Sequence, residues 1–420
     1  MAAVTAPSPP LSADAAARLI LAHVAPLPAA RRPLADAAGL VLAEAVTAPI
    51  DVPPWDNSAM DGYAARGEDL HDGVVLRVID EIAAGQFGAK RVGPGEAVRI
   101  FTGAPLPDGA DTVVRQEDTV PGPGTVRVTA APAAGRNVRR RGDDVGRGST
   151  VFTAGTPLTA AALGVLASVA HGEPLVHPAP RVAILSSGDE VVGLDRRSEI
   201  LAGKKIASSN SYALTAAVRA AGGAPVDLGV VADDVALLAG RLPDAGGADL
   251  VLTTAGVSVG EHDLMRNAIT ARGGRILATR VRIRPGGPLN FGVVNGIPWI
   301  GLPGNPVSAL VTFELFARPA IRRLSGHGLP FRRTVPVVTG EAISLGPPLR
   351  HFLRVRLVEA PDGGPAVARL TGSQSSGVLT SLARADALLI VPEDRPEVPA
   401  GAALRALVLD DPHHVAEPPF

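Results

Sequence analysis

From Arg181 onward the chain repeats one rhythm of strand, loop and helix. It runs through RVAILSS, a helical stretch over 210–221, the run APVDLGVV, a helix from about Val235 and the run DLVLTTAG. Strands alternating with helices at this spacing predict a parallel sheet with helices on both faces. Ligands of such sheets sit beyond the carboxyl ends of the strands, so the loops after each strand are the ones to search for chemistry.

The rest of the chain reads differently. Apolar residues recur at helical spacing over 11–24 behind Ser12 and Asp14, either of which can cap the first turn. Short β-branched runs at 74–79, 97–100, 112–115 and 125–129 are separated by Gly and Pro, and β runs return at 334–338, 353–358 and 387–391. At 420 residues the chain exceeds what one core usually supports. The expected architecture is multidomain α/β plus β. An N-terminal helical segment, 1–46, pairs with 147–179 as a discontinuous linking domain. A β-rich module follows at 47–146, then a three-layer α/β domain at 180–327 and a C-terminal β-barrel or sandwich at 328–420.

Composition removes several classes of function. There is no cysteine, which excludes disulfides, iron–sulfur clusters, thiolate zinc sites and thiol nucleophiles, and leaves oxygen and nitrogen ligands. Forty basic residues against forty-one acidic ones leave no global field for a nucleic-acid backbone, so any anion site must be local. The uncharged stretch 156–172 is shorter than the roughly 20 apolar residues of a membrane helix. The first 18 residues lack the basic start and apolar core of a secretory signal. A cytoplasmic protein with no nucleic-acid or membrane partner is the expectation.

Three strand ends in the α/β region carry the strongest chemical signal. The first delivers Ser187, Gly188, Asp189 and Glu190; the second delivers Gly256, Ser258 and Asp263 within AGVSVGEHD; the third delivers Pro303, Gly304, Asn305, Pro306 and Ser308. Asn305 can cap, and Pro306 can start, a helix running to 321. Each loop is expected to place backbone N–H groups at a helix N-terminus, where a phosphate or other oxyanion can sit. Asp233 and Asp234 bring carboxylates to the same edge. Glu190, Asp233 and Asp263 together would repel one another unless a hard cation lay among them, and oxygen ligation favours Mg²⁺, with Glu190 and Asp263 as its expected ligands. The plainer alternative is that these acids only cap helices.

The β-rich region adds two loops and a charge run. DVPPWDNSAMDGYAAR contains Asp61 and reads equally as a recognition loop or a turn. The turn Thr102-Gly103-Ala104 would expose a hydroxyl and N–H groups, or merely close a hairpin. GRNVRRRGDDVGRG, with Arg139 and Arg140, offers guanidinium for an oxyanion, or forms a solvated run offset by Asp143 and Asp144.

Taken together, DNSAMDGYA, FTGAPLPDGAD, RRRGDD, SSGDE, GVSVGEHD and GLPGNPVSAL resemble the molybdopterin molybdenumtransferase family, to which the gephyrin C-terminal domain also belongs. The resemblance implies a homodimer that takes adenylylated molybdopterin and molybdate as substrates, cleaves the adenylate, and releases AMP and molybdenum cofactor. It assigns functional weight to Asp61, Thr102, Glu190, Asp233, Asp263, Pro303 and Pro306. It also implies an exchange of pterin with the adenylylating enzyme of the same pathway. This chain has Gly287 where the family stretch usually carries Lys, and Ala255 where it carries Gly, so Arg284 or Arg282 would have to supply the missing cation. Two alternatives stay open on the residues: the adenylylation step itself, and a pterin-binding scaffold without turnover.

Overall fold

The computed structural model describes residues 9–254, 264–346, 348–360 and 363–409. Its contacts divide the chain into two compact units, one made of Met1–Ala30, Gly39–Val41 and Val176–Phe420, the other of Arg31–Ala38 and Leu42–Leu175.

In the first unit the strand–helix rhythm builds a six-stranded sheet. Strands Ala224–Val231, Arg181–Ser187, Leu250–Thr254 and Ile297–Leu302 are parallel neighbours in that order, and Asn290–Val294 and Arg275–Ala278 extend the sheet antiparallel. Alternate residues face opposite sides: Val182 and Ile184 join one core with Leu214 and Val218, while Ala183 and Leu185 join another with Leu238, Met265 and Trp299. Apolar side chains on both faces are what a sheet covered by two helical layers requires.

The N-terminal helix, Ala13–Ala22, begins where Ser12 accepts the Ala15 N–H, and its buried face of Ala13, Ala16 and Ile20 enters the core that holds Ile321 and Leu324. The helix from Pro306 outruns its expected end at 321. It passes from Pro306–Thr312 through a π segment, Phe313–Ala317, into Arg318–Leu324. Beyond it, Thr334–Thr339, Arg350–Val358, Val367–Leu370, Ala387–Val391 and Ala403–Val408 close on themselves as a five-stranded barrel, with Val337, Leu353, Val355, Leu389 and Ala406 inside.

The second unit is built on a six-stranded sheet ordered Thr112–Arg115, Gly62–Ala65, Glu96–Ile100, Val75–Ile82, Thr125–Val128 and Thr119–Gly122. Tyr63 and Ala65 pack on one face and Ala64 on the other. Gly62 sits between two strands so closely that an added Cβ would lie 1.9 Å from the Val114 carbonyl oxygen. That approach requires glycine and fixes where the preceding residue, Asp61, leaves the sheet. Within the same unit, Val46–Thr47 pairs with Thr150–Phe152, and Leu34 and Leu42 donate to the carbonyls of Gly172 and Thr156. Among the described residues no helix is long and apolar enough to cross a membrane.

Candidate active site

The carboxyl ends of the parallel strands open into a cleft of about 660 Å³. Ser187, Glu190, Asn210, Thr254 and the loop 303–306 line it. A second cleft of about 640 Å³, which includes Arg280, Arg284, Ser308, His351 and Arg354, shares Pro288 and Asn305 with the first.

The first loop is bent by Gly188, whose φ of +144° and an added Cβ only 2.7 Å from Val191 exclude a side chain. The chain then continues as Val191–Val192 and a short 3-10 turn, Leu194–Arg196. The helix N-terminus expected here is therefore absent, because the loop feeds a strand. Asp189 accepts the Asp233 N–H at 3.1 Å, and Lys205 donates to the Asp189 carbonyl at 2.6 Å, so Asp189 ties neighbouring loops together. Asp234 accepts from Leu237 and caps Val235–Arg241, which makes it a helix cap. Of the acids at this edge, Glu190 faces the cleft, and Asp233 and Asp189 are not among the residues lining it.

A chain of hydroxyls runs along the cleft. Thr254 Oγ1 is 3.0 Å from Ser186 Oγ, which is 2.9 Å from Ser211 Oγ, and Ser208 Oγ completes the chain at 2.6 Å. Two buried atoms on the cleft wall have no partner among the described residues: Ser187 Oγ and Asn210 Oδ1. Asn210 Nδ2 donates to the Gly304 carbonyl at 2.8 Å, which fixes Oδ1 as the free acceptor. Buried polar atoms are ordinarily satisfied, so two orphans on one cleft wall mark where a ligand completes the structure. Sequence reading placed Asn210 only as a helix start and missed this role.

Asn305 stands at the start of the Pro306 helix, but its side chain makes no capping bond. The Ser376 carbonyl accepts the Val307 N–H instead, at 3.1 Å. Arg354 organises the loop that delivers Ser376. It is fully buried and donates from Nε to Ser381 Oγ and from Nη2 to the carbonyls of Ser373 and Ser375, at 3.2, 3.3 and 3.1 Å. Burial pushes its pKa down to about 10. Nothing in the sequence marked it, since FLRVRL reads simply as a strand. Arg284 lines the second cleft with Arg280 beside Gly287, whereas Arg282 is not among its lining residues. Gly256, Ser258 and Asp263 lie outside the described residues.

In the second unit the structure joins two of the expected residues directly. Asp61 Oδ1 accepts both the Thr102 N–H, at 2.7 Å, and the Thr102 hydroxyl, at 2.8 Å. The backbone donor first, and then the hydroxyl, hold the Asp61 carboxyl below its ordinary range. The turn itself has no N–H left for an oxyanion, because Gly103 donates to the Ser58 carbonyl and Ala104 to that of Phe101. The arginine run is likewise engaged. Arg140 pairs with Asp56 at 2.7 Å, Arg141 pairs with Asp51, and the Arg140 N–H donates to Asp143. Arg139 pairs through its backbone with Asn57 and makes no ion pair among the described residues. Trp55 and Phe87 meet edge to face at 5.0 Å, both exposed.

Comparison with known proteins identifies the family. Residues 11–170 match the MoeA N-terminal region (domain I and II), 183–323 a probable molybdopterin binding domain, and 336–409 the MoeA C-terminal region (domain IV). Molybdopterin molybdenumtransferase 2 of Mycobacterium tuberculosis is 39% identical over 384 residues, covering 89% of this chain and 93% of that protein. The molybdopterin molybdenumtransferase of a Nostoc species is 37% identical over 380 residues, covering 88% and 86%. The crystal structure of the molybdopterin biosynthesis moeA protein from Pyrococcus horikoshii superposes with a TM-score of 0.79 at 27% identity, covering 95% of this chain and all of that one. The chain belongs to the MoeA family of molybdopterin molybdenumtransferases.

Proposed function

We propose that this protein binds adenylylated molybdopterin and molybdate, cleaves the phosphoanhydride with loss of AMP, and transfers molybdenum to the pterin dithiolene. The observation that carries the reading is the pair of adjoining clefts. One presents a carboxylate and two oxygen atoms with no partner among the described residues, and the other presents Arg280 and Arg284. A hard cation held by the first cleft would draw in a phosphoanhydride, and the guanidiniums of the second suit a tetrahedral dianion beside it. The matched relatives carry the name of this reaction.

Magnesium belongs to the same proposal. Among the described residues no three acidic or His side chains gather as a ready-made metal site. Glu190 and the orphaned Ser187 Oγ are nevertheless hard oxygen donors at one cleft, and they fit an ion that keeps several waters. Glu190, with Asp263, would hold it, and the bound ion would supply charge neutralisation at the pyrophosphate oxygens. The loop 303–306 would seat the pterin phosphate, while hydrogen bonds among Thr254, Ser186 and Ser211 keep that part of the cleft lining in place. The proposal also includes a cytoplasmic homodimer and an exchange of pterin with the adenylylating enzyme.

The adenylylation step itself is the competing enzymatic reading, and substrate supply separates the two. Given adenylylated molybdopterin and molybdate, the protein is expected to release AMP without any ATP. Consumption of ATP with free molybdopterin, and no AMP from the adenylylated form, would transfer the assignment to the adenylyltransferase.

A further inference from the structure

The helical run that starts at the cleft with Pro306 ends far from it, and the far end carries a charge imbalance the proposed reaction does not use. Pro306 and Arg318 are separated by about 18 Å of helix at 1.5 Å per residue. Glu314, Arg318 and Arg322 recur every four residues and so share a face. From the following loop, Arg332 Nε donates to Glu314 Oε2 at 2.6 Å, and Arg318 Nε stands 3.7 Å from the same oxygen. These side chains are largely covered, with 13% of Arg318, 17% of Glu314 and 25% of Arg332 exposed.

Arg322 Nη2 lies 3.1 Å from His327 Nδ1, so the guanidinium donates and the imidazole must be neutral to accept. His327 is buried, and burial, followed by the charges of Arg322 and Arg318, pushes its pKa down to about 4. The histidine therefore adds no compensating charge of either sign. Glu314 is the only carboxylate paired with this group among the described residues. Three guanidiniums against one carboxylate leave two positive charges uncompensated in a half-buried setting. Arg322 Nε has no acceptor among the described residues. Burial, and after it the nearby charge of Arg332, lowers the pKa of both Arg318 and Arg322, as expected for cations held together without enough counter-charge.

We propose that this cluster is a second oxyanion seat, separate from the cleft, for a tetrahedral dianion such as phosphate, sulfate or molybdate. A dianion matches the two missing charges, and guanidinium forks pair with two oxygens at a time, whereas a monocarboxylate would leave one charge unanswered. The inference stands independently of the reaction proposed above.

The test is equilibrium dialysis of the full-length protein with radiolabelled inorganic phosphate, at constant ionic strength held with chloride. Saturable binding is expected in the parent. Arg322→Gln should weaken it about tenfold, and Glu314→Gln, which removes the competing carboxylate, should strengthen it about tenfold. A general folding defect would shift both variants the same way, so opposite shifts identify the cluster. Arg284→Gln, in the cleft, should leave this binding in place. The proposal is overturned if chloride alone abolishes binding or if neither cluster variant changes affinity. It also fails if Arg284→Gln removes all bound phosphate, or if acetate competes as well as sulfate does.

Discussion

Glu190→Gln is expected to lower molybdate-dependent AMP release by more than about a hundredfold, or roughly 3 kcal/mol of transition-state stabilisation, while the protein remains folded. The folding half of this expectation follows from geometry. The Glu190 side chain is exposed at the cleft and makes no hydrogen bond or ion pair among the described residues, so the amide replaces the carboxylate without leaving a partner stranded. The activity half follows from charge. Glu190 is the carboxylate that the described strand ends bring into the cleft, and it is the residue proposed to hold the cation against the pyrophosphate. The variant should keep the parent's unfolding profile and lose Mg²⁺-dependent turnover. AMP release within a factor of two of the parent would remove Glu190 from the mechanism.

The second large effect is on stability. Arg354→Met is expected to cost about 2–4 kcal/mol, measured by urea unfolding with a probe in the barrel. The guanidinium is completely buried and supplies hydrogen bonds to Ser381 Oγ and to the carbonyls of Ser373 and Ser375. Methionine fills a similar volume but donates nothing, leaving three acceptors unanswered. Release of a desolvated cation offsets part of that loss, which is why the figure lies below the sum of three stranded groups. Because the same loop offers the Ser376 carbonyl to Val307, the change should also loosen the start of the Pro306 helix at the cleft. A cost under about 1 kcal/mol would mean that water satisfies those carbonyls and that Arg354 does not order the loop.

Much of the architecture was legible because it rests on local rules. The runs around 181–187 and 250–254 are short, apolar and bounded by Gly and Pro, and they form parallel strands whose alternate residues enter two cores. Ser12 was readable as a cap and Pro306 as a helix start, and both stand where expected. What escaped the sequence was partnership across long separations. Asp143 and Asp144 were the obvious counter-charges for the arginine run, yet Arg140 and Arg141 pair with Asp56 and Asp51, more than eighty residues earlier. The Thr102 turn looked like a source of free N–H groups until Asp61 and Ser58 were brought against it. Arg354 alternates with Leu353 and Val355, so the pattern puts it on the face opposite the barrel core. Only the tertiary structure shows that the loop 373–381 covers that face. Asn210 gives no local sign that its amide is locked to Gly304 with the carbonyl oxygen left without a partner among the described residues.

The most direct test of the account follows metal and nucleotide together in a single turnover. Purified protein is given adenylylated molybdopterin and radiolabelled molybdate with Mg²⁺, and AMP and pterin-bound molybdenum are counted over time. The account predicts that the two products appear in equal amounts and with one rate, and that AMP release falls away when molybdate is withheld. Radiolabel that never enters the pterin while AMP accumulates at the same rate with or without molybdate would contradict it.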